Sequence, residues 1–258
     1  MPQKTTIEWC DRTSNPIYAV AASGKRGWYC TKVSPGCDHC YSEALNRRWG
    51  NAHTYTKDNA PKMEWKLNPK ELQAIIKLKG AHKIFLCDMT DLFHADIPNE
   101  YRNEIFDAML QTDHIFQLLT KRPKNMQAFI KWWLGSVMNE LILENIWLGV
   151  SVESQDYLWR IDTLCETPAV IRFVSFEPLL GEIRDIDFTG IDWCIIGAES
   201  GAGARPMAEE WARTIKDQAV AAGVKVFYKQ DAYKGKKISL PILDGRQWME
   251  FPESEATK

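Results

Sequence analysis

The chain has 258 residues, 45% of them hydrophobic, which is enough to bury a full core and compatible with a single α/β domain. No run of 18 apolar residues occurs, and the start MPQKTTIEWCD lacks the apolar core of a signal peptide, so neither a membrane span nor a secretory leader is expected. Net charge is −2, which leaves a nucleic-acid partner open, yet residues 20–83 carry twelve Lys or Arg against five Asp or Glu. That basic third is either a phosphate-facing surface or a solvated face of scattered lysines.

In chain order, IEW (7–9) and NPIYAV (15–20) are short extended pieces, one of them the expected first strand. The stretch WYCTKVSPGCDHCYSEALNRRW (28–49) follows, with Cys30, Cys37 and Cys40 at C-x6-C-x2-C spacing. Pro35-Gly36 supplies a bend that returns the loop towards Cys30. YSEALNRRW (41–49) reads as a helix, so the cysteines lie in a loop that closes at a helix N-terminus, where free N–H groups favour thiolates. Residues 50–70 are polar and read as a long excursion, and Pro69 starts a helix that stops at Gly80.

From there strands and helices alternate. Strands are predicted at 83–88, 114–120, 145–152, 169–177, 191–199 and 225–230, and helices at 99–111, 123–138, 154–165 and 208–223. Such alternation implies parallel strands joined by right-handed crossovers, in a partial β/α barrel or a doubly wound sheet. Residues 1–232 are assigned to this domain and 233–258 to a polar tail.

Three cysteines in one loop admit two metals. A structural zinc site needs a fourth ligand, for which Cys10, His39 and His53 are available. A four-iron cluster held by three thiolates leaves one iron open to a small molecule. A disulfide framework is less suited, because seven unevenly spaced cysteines, with Cys87, Cys165 and Cys194 partly in apolar runs, fit a reducing cytoplasm. Cys87 and Cys194 read as inert strand residues.

In parallel α/β folds the ligand site lies at the carboxyl ends of the strands. Those ends deliver Asp88, Thr90 and Asp91; Thr120, Lys121 and Arg122; Ser151 and Glu153; Ser175 and Glu177; Glu199 and Ser200; and Lys229 and Gln230. Buried carboxylates need partners, which Lys121, Arg122, Lys229 and Arg205 can supply. Glu199-Ser-Gly-Ala-Gly203 lacks the P-loop lysine and reads as a turn that lets backbone approach a ligand. His94 reads as a loop histidine rather than a proton carrier. No Ser-His-Asp order or HExxH helix supports hydrolysis.

The pieces IEW (7–9), NP (15–16), CTKVSPGCDHCY (30–41), MTDLFH (89–94), LTKRP (119–123), GVSVE (149–153), FEPLLG (176–181), ESGAGARPM (199–207) and KQ (229–230) span the chain. Together they resemble a phage-associated, radical-SAM-like family with a three-cysteine motif, distantly similar to spore photoproduct lyase. Ala198 stands where the family pattern has Gly, and Asp231 where it has Trp. The cysteine loop is also longer than in most radical SAM enzymes, a change that costs little. The resemblance implies a partial TIM-like barrel of radical SAM type, a 4Fe-4S cluster on Cys30, Cys37 and Cys40, and S-adenosylmethionine on the open iron. Reductive cleavage of that cofactor would yield a 5′-deoxyadenosyl radical that takes a hydrogen atom from substrate.

By the same analogy His39 and Tyr41 lie near the adenine. Asp88, Thr90, Ser151, Glu153, Ser175 and Glu199 contact the rest of the cofactor. Asp91, Lys121, Arg122, Glu177, Arg205, Lys229 and Gln230 face the substrate. The implied substrate is a modified thymine in phage DNA, such as a glycyl-thymine to be isomerised, flipped out to reach the site. Arg47, Arg48, Lys62 and Lys66 would track its backbone. The implied partners are DNA and an external electron donor such as flavodoxin, in the cytoplasm of a phage-infected bacterium. Two other readings compete: a zinc module that binds DNA or protein without catalysis, and a radical enzyme acting on a free nucleotide or a peptide.

Overall fold

Continuous apolar runs become strands wherever both of their faces are covered. The computed structural model describes residues 1–136, 143–201, 203–233 and 236–253. In chain order the first elements are β1 (Gln3–Lys4), β2 (Arg12–Ser14), β3 (Ile17–Ala21), β4 (Arg26–Gly27), α1 (Tyr41–Trp49), β5 (Met63–Leu67), α2 (Pro69–Ile76), β6 (Lys83–Leu86) and α3 (Asn99–Leu110). There follow β7 (Ile115–Thr120), α4 (Pro123–Ser136), β8 (Ile146–Ser151), α5 (Trp159–Cys165), β9 (Arg172–Phe176), β10 (Trp193–Gly197) and α6 (Glu209–Ala221). The chain closes with β11 (Lys225–Tyr233), β12 (Lys236–Ser239), β13 (Ile242–Leu243) and β14 (Arg246–Gln247). Residues 137–138 of the expected fourth helix, Ala202, and Lys234 and Gly235 of the tail lie outside the described residues.

The result is a mixed α/β architecture with a nine-stranded sheet in the order β1-β2-β6-β7-β8-β9-β10-β11-β12. Pairing is parallel from β2 through β11, and only β1 and β12 run antiparallel at the edges. The first parallel strand is Arg12–Ser14. IEW forms a turn, closed by the Cys10 N–H donating to the Ile7 carbonyl, and NPIYAV contributes β3 to a separate β4-β3-β5 sheet. Residues 236–253 are built into the same body rather than trailing from it: β12 pairs with β11, Leu243 and Trp248 are buried, and the Tyr228 N–H donates to the Trp248 carbonyl. Among the described residues no helix is long and apolar enough to cross a membrane.

Strand side chains alternate between two cores. Ile146, Leu148 and Val150 of β8, Val174 and Phe176 of β9, and Cys194 and Ile196 of β10 pack outward against the helices. Their neighbours Trp147, Phe173, Trp193, Ile195 and Phe227 turn inward and meet Trp9 in a second, aromatic cluster. Trp9 lies 4.6 Å from the Phe85 ring on β6 and 6.1 Å from the Trp193 ring on β10. On a flat sheet those two strands stand about 19 Å apart, at roughly 4.8 Å per spacing. The sheet is therefore strongly curved around this aromatic floor.

Candidate functional site

The cysteine loop and the carboxyl edge of the sheet enclose a cavity of about 390 Å³. Every site residue expected from the sequence borders it except Glu153 and Arg205. Cys30, Cys37 and Cys40 are all free thiols on one wall. Among the described residues no three His, Cys, Asp or Glu side chains converge closely enough to share one metal ion. The three thiols thus face the cavity without gathering around a point. Their chemistry suits a soft metal or an iron–sulfur group.

Burial pushes the half-buried Cys30 thiol up to about 11, against the pull of the nearby Arg122 guanidinium. Burial also raises Cys40, although the N–H groups of Glu43 and Ser42 at the start of α1 pull the other way. Those groups do not close a capping hydrogen bond to the Cys40 side chain. A metal bound at this wall would therefore displace protons.

Two ion pairs pin the loop from opposite sides. Arg122 Nη1 donates to Asp91 Oδ2 at 2.7 Å and to Cys30 Sγ at 3.5 Å, and its Nη2 donates to the Thr31 carbonyl at 2.7 Å. Asp91 also accepts from the Thr120 hydroxyl at 2.7 Å. Burial would raise the Asp91 carboxyl, but Arg122 holds it below its ordinary value. On the other flank Glu199 accepts from Arg205 through both the backbone N–H and the guanidinium, and Arg205 Nη2 donates to the Pro35 carbonyl at 2.9 Å. His39 Nδ1 lies 3.0 Å from Glu199 Oε2. Asp91, Arg122, Glu199 and Arg205 thus spend their charge on one another and on the loop.

His94 belongs to the first clamp. Its Nδ1 accepts from the Asp96 N–H at 3.2 Å, so Nε2 carries the proton and meets the Thr31 hydroxyl at 2.9 Å. Burial, aided by Arg122, lowers its pKa to about 4, which keeps the ring neutral at physiological pH. This is a positioning histidine.

The polar groups that remain open to the cavity are fewer. Lys121 lies beside Gly36, where an added Cβ would meet its Cε at 3.3 Å, and among the described residues it has no carboxylate partner. Lys229 Nζ sits 3.0 Å from Glu177 Oε1, off the direction of a hydrogen bond, while Ser175 Oγ donates to Glu177 Oε2 at 3.1 Å. Gly197 makes this arrangement possible, because a Cβ there would stand 2.4 Å from Glu177 Oε1. Asp88 takes one hydrogen bond from Asn15 Nδ2 at 2.6 Å, and burial pushes its carboxyl up to about 6. Tyr41 donates to the Asp88 carbonyl. Cys87 borders the cavity with φ +61°. Burial raises the thiols of both Cys87 and Cys194, and Cys194 packs among the outward-facing residues, away from the cavity.

Several of the expected residues have their polar groups engaged within the fold. Glu153 does not border the cavity: it is fully buried and paired with Arg160 at 2.8 Å. Arg205 stands behind the loop. Gln230 turns its amide to the Ala198 carbonyl, which ties β11 to the end of β10. Thr90 donates its hydroxyl to the Tyr29 carbonyl. Lys66 is paired with Glu64, unlike exposed Arg47, Arg48 and Lys62, which have no carboxylate partner among the described residues. Cys10, one candidate fourth zinc ligand, is buried in the aromatic floor. Asn15, Thr31 and Lys237 were not singled out by the sequence. Asn15 entered the sequence reading only within the NP piece, and Lys237, which borders the cavity and pairs with Glu8 at 2.8 Å, only within the polar tail.

Comparison with curated proteins and with solved structures gives no match. The model of one family, described as "Protein of unknown function (DUF5131)", matches residues 4–252, nearly the whole chain. The chain belongs to the DUF5131 family.

Proposed function

We propose that this protein is a radical S-adenosylmethionine enzyme that carries a 4Fe-4S cluster on Cys30, Cys37 and Cys40 and acts on a modified thymine base in DNA. The observation that carries this reading is the C-x6-C-x2-C loop itself, whose three free thiols border a cavity at the carboxyl edge of a parallel sheet. We also read the curved sheet as a partial β/α barrel, on the strength of the contacts from Trp9 to both Phe85 and Trp193.

When bound, the cluster and its cofactor supply a one-electron route to hydrogen-atom abstraction. The chain's own residues bind and orient. Lys121, unpaired beside the loop, is suited to a carboxylate of cofactor or substrate. Tyr41 and His39 flank Cys40 and give a flat wall for a base. The Glu177–Lys229 pair presents both signs of charge on a wall formed by the sheet, as an amino-acid substituent on a base requires. The aromatic floor excludes water from below.

Anaerobic reconstitution with iron and sulfide tests this. The expected product is a brown protein with four irons per chain that forms 5′-deoxyadenosine from S-adenosylmethionine under reductant. With phage-modified DNA, mass analysis of the nucleosides should then show altered retention, at unchanged mass for an isomerisation. A colourless protein holding one zinc and forming no 5′-deoxyadenosine would refute the proposal.

A further inference from the structure

Helix α1 is amphipathic the wrong way round. Its buried residues are Ser42, Glu43 and Asn46, all polar. Each is committed to the fold: Ser42 to the Tyr55 hydroxyl, Glu43 to the Tyr55 N–H and Lys32, and Asn46 to Trp28, Asn51 and the His53 carbonyl. The apolar residues Tyr41, Leu45 and Trp49 recur every fourth position and form a single stripe. That stripe faces solvent, at 41%, 41% and 67% exposure. A surface helix ordinarily buries such a stripe, so folding alone does not account for this one.

Three observations indicate what covers it. The stripe is continuous with the cavity, because Tyr41 lines the cavity wall as well as the helix surface. Arg48 flanks its far end, exposed and without a carboxylate partner among the described residues, and its guanidinium lies 4.8 Å from the Trp49 ring centre, whereas Arg47 projects about 160° round the helix from Trp49. From Tyr41 to Trp49 the helix rises about 12 Å, the length of three or four stacked nucleotides at about 3.4 Å each. Two exposed aromatic rings at the ends of an apolar stripe, with a cation beside one of them, suit a strand of bases and phosphates. An acidic protein would use the arginine but leave the aromatic spacing unexplained.

We propose that the outer face of α1 is a stacking platform for single-stranded nucleic acid. A base packs on Trp49, a phosphate meets Arg48, and a nucleotide three or four positions along the strand is led past Tyr41 into the cavity. The last step rests on the proposed function; the platform rests on α1 alone.

Binding of a fluorescent oligothymidylate to the full chain, followed by anisotropy across a salt series without turnover, tests the platform. Single strand should bind more tightly than duplex of the same length. Trp49→Ala should weaken single-strand binding about ten-fold, and Trp49→Phe should retain most of it. Arg48→Ala should flatten the salt dependence by about one phosphate contact, and Arg47→Ala, on the other side of the helix, should leave it nearly unchanged. Because Trp49 is mostly exposed, an unchanged melting temperature is expected and separates lost contact from lost fold. No binding at low salt, tighter duplex binding, or affinity indifferent to Trp49→Ala would overturn the platform. So would a Trp49→Ala variant that slows reduction by flavodoxin while binding oligonucleotide normally, since the stripe would then dock a protein. Oligonucleotide binding without 5′-deoxyadenosine formation would count against the radical reading only, and the reverse result against the platform only.

Discussion

Along β8 to β11 the inward-facing side chains change character within a single strand. At the amino ends they are Trp147, Phe173, Trp193 and Phe227, packed ring to ring; at the carboxyl ends they are Ser151, Glu177, Glu199 and Lys229. Two glycines mark the change. At Gly149 a Cβ would stand 2.4 Å from the Phe173 ring, so glycine lets the floor close. At Gly197 it would stand 2.4 Å from Glu177, so glycine lets a carboxylate fold back into the cavity. The same backbone register thus serves cohesion at one end and chemistry at the other. The lesson is that stability and site are separable along the strand axis, and each half can be damaged without the other.

The sharpest separation comes from paired substitutions. Cys30→Ala should abolish iron retention and 5′-deoxyadenosine formation, while the iron-free protein keeps its stability within about 1 kcal/mol. Trp193→Ala should do the opposite. Trp193 is fully buried, contacts Trp9, Trp147, Phe173, Phe227 and Phe251, and donates its indole N–H to the Glu250 carbonyl. Its removal should cost about 4 kcal/mol in denaturant unfolding, with iron per folded chain unchanged. If Trp193→Ala instead lost iron at unaltered stability, floor and rim would not be separable.

The rim has a stability of its own in the two clamps, and they should differ. Arg122 and Asp91 are about nine-tenths buried, so Arg122→Met leaves a buried carboxylate without its cation and should destabilise by about 3 kcal/mol. Arg205 is 30% exposed and Glu199, though buried, keeps His39 Nδ1 at 3.0 Å, so Arg205→Met should cost less, about 2 kcal/mol. Unfolding curves for both iron-free variants measure this, and equal losses would contradict the burial argument.

Much of this floor was legible in advance, because KIFL, IFQLLT, IWLGVS and WCIIG are apolar on both faces and short enough to be strands. The rim followed from one topological rule, that parallel strands deliver their polar residues at the carboxyl edge. The rule failed at Glu153, whose partner Arg160 lies one helical segment later and takes it out of the cavity. It could not reach Asn15 or Thr31, whose roles are set by Asp88 and Arg122, 73 and 91 residues away. The strand MEWKL was hidden in a polar excursion because its pairing with β3, not its own pattern, makes it a strand. The loop that brings Cys30, Cys37 and Cys40 to one wall of the cavity was legible in their spacing, but the clamps that hold it were not.

Asp88 gives the finest test, since it sits on the rim and is penalised like a floor residue. Its carboxyl is raised from 3.8 to about 6, mainly by burial and against the Asn15 hydrogen bond. Below pH 4 the group is protonated in both folded and unfolded chains and makes no difference. Between pH 4 and 6 the folded chain keeps its proton longer, so stability falls as pH rises. Above pH 6 both states are ionised and the folded chain bears the full cost of a buried charge, about 2 kcal/mol after allowing for partial exposure. Asp88→Asn keeps a side-chain oxygen for Asn15 and removes the charge. The iron-free variant should therefore match the wild type near pH 4 and exceed it in stability near pH 7.5. Parallel stability curves across that range would mean that water in the cavity already solvates Asp88, and that the rim is wetter than its burial implies.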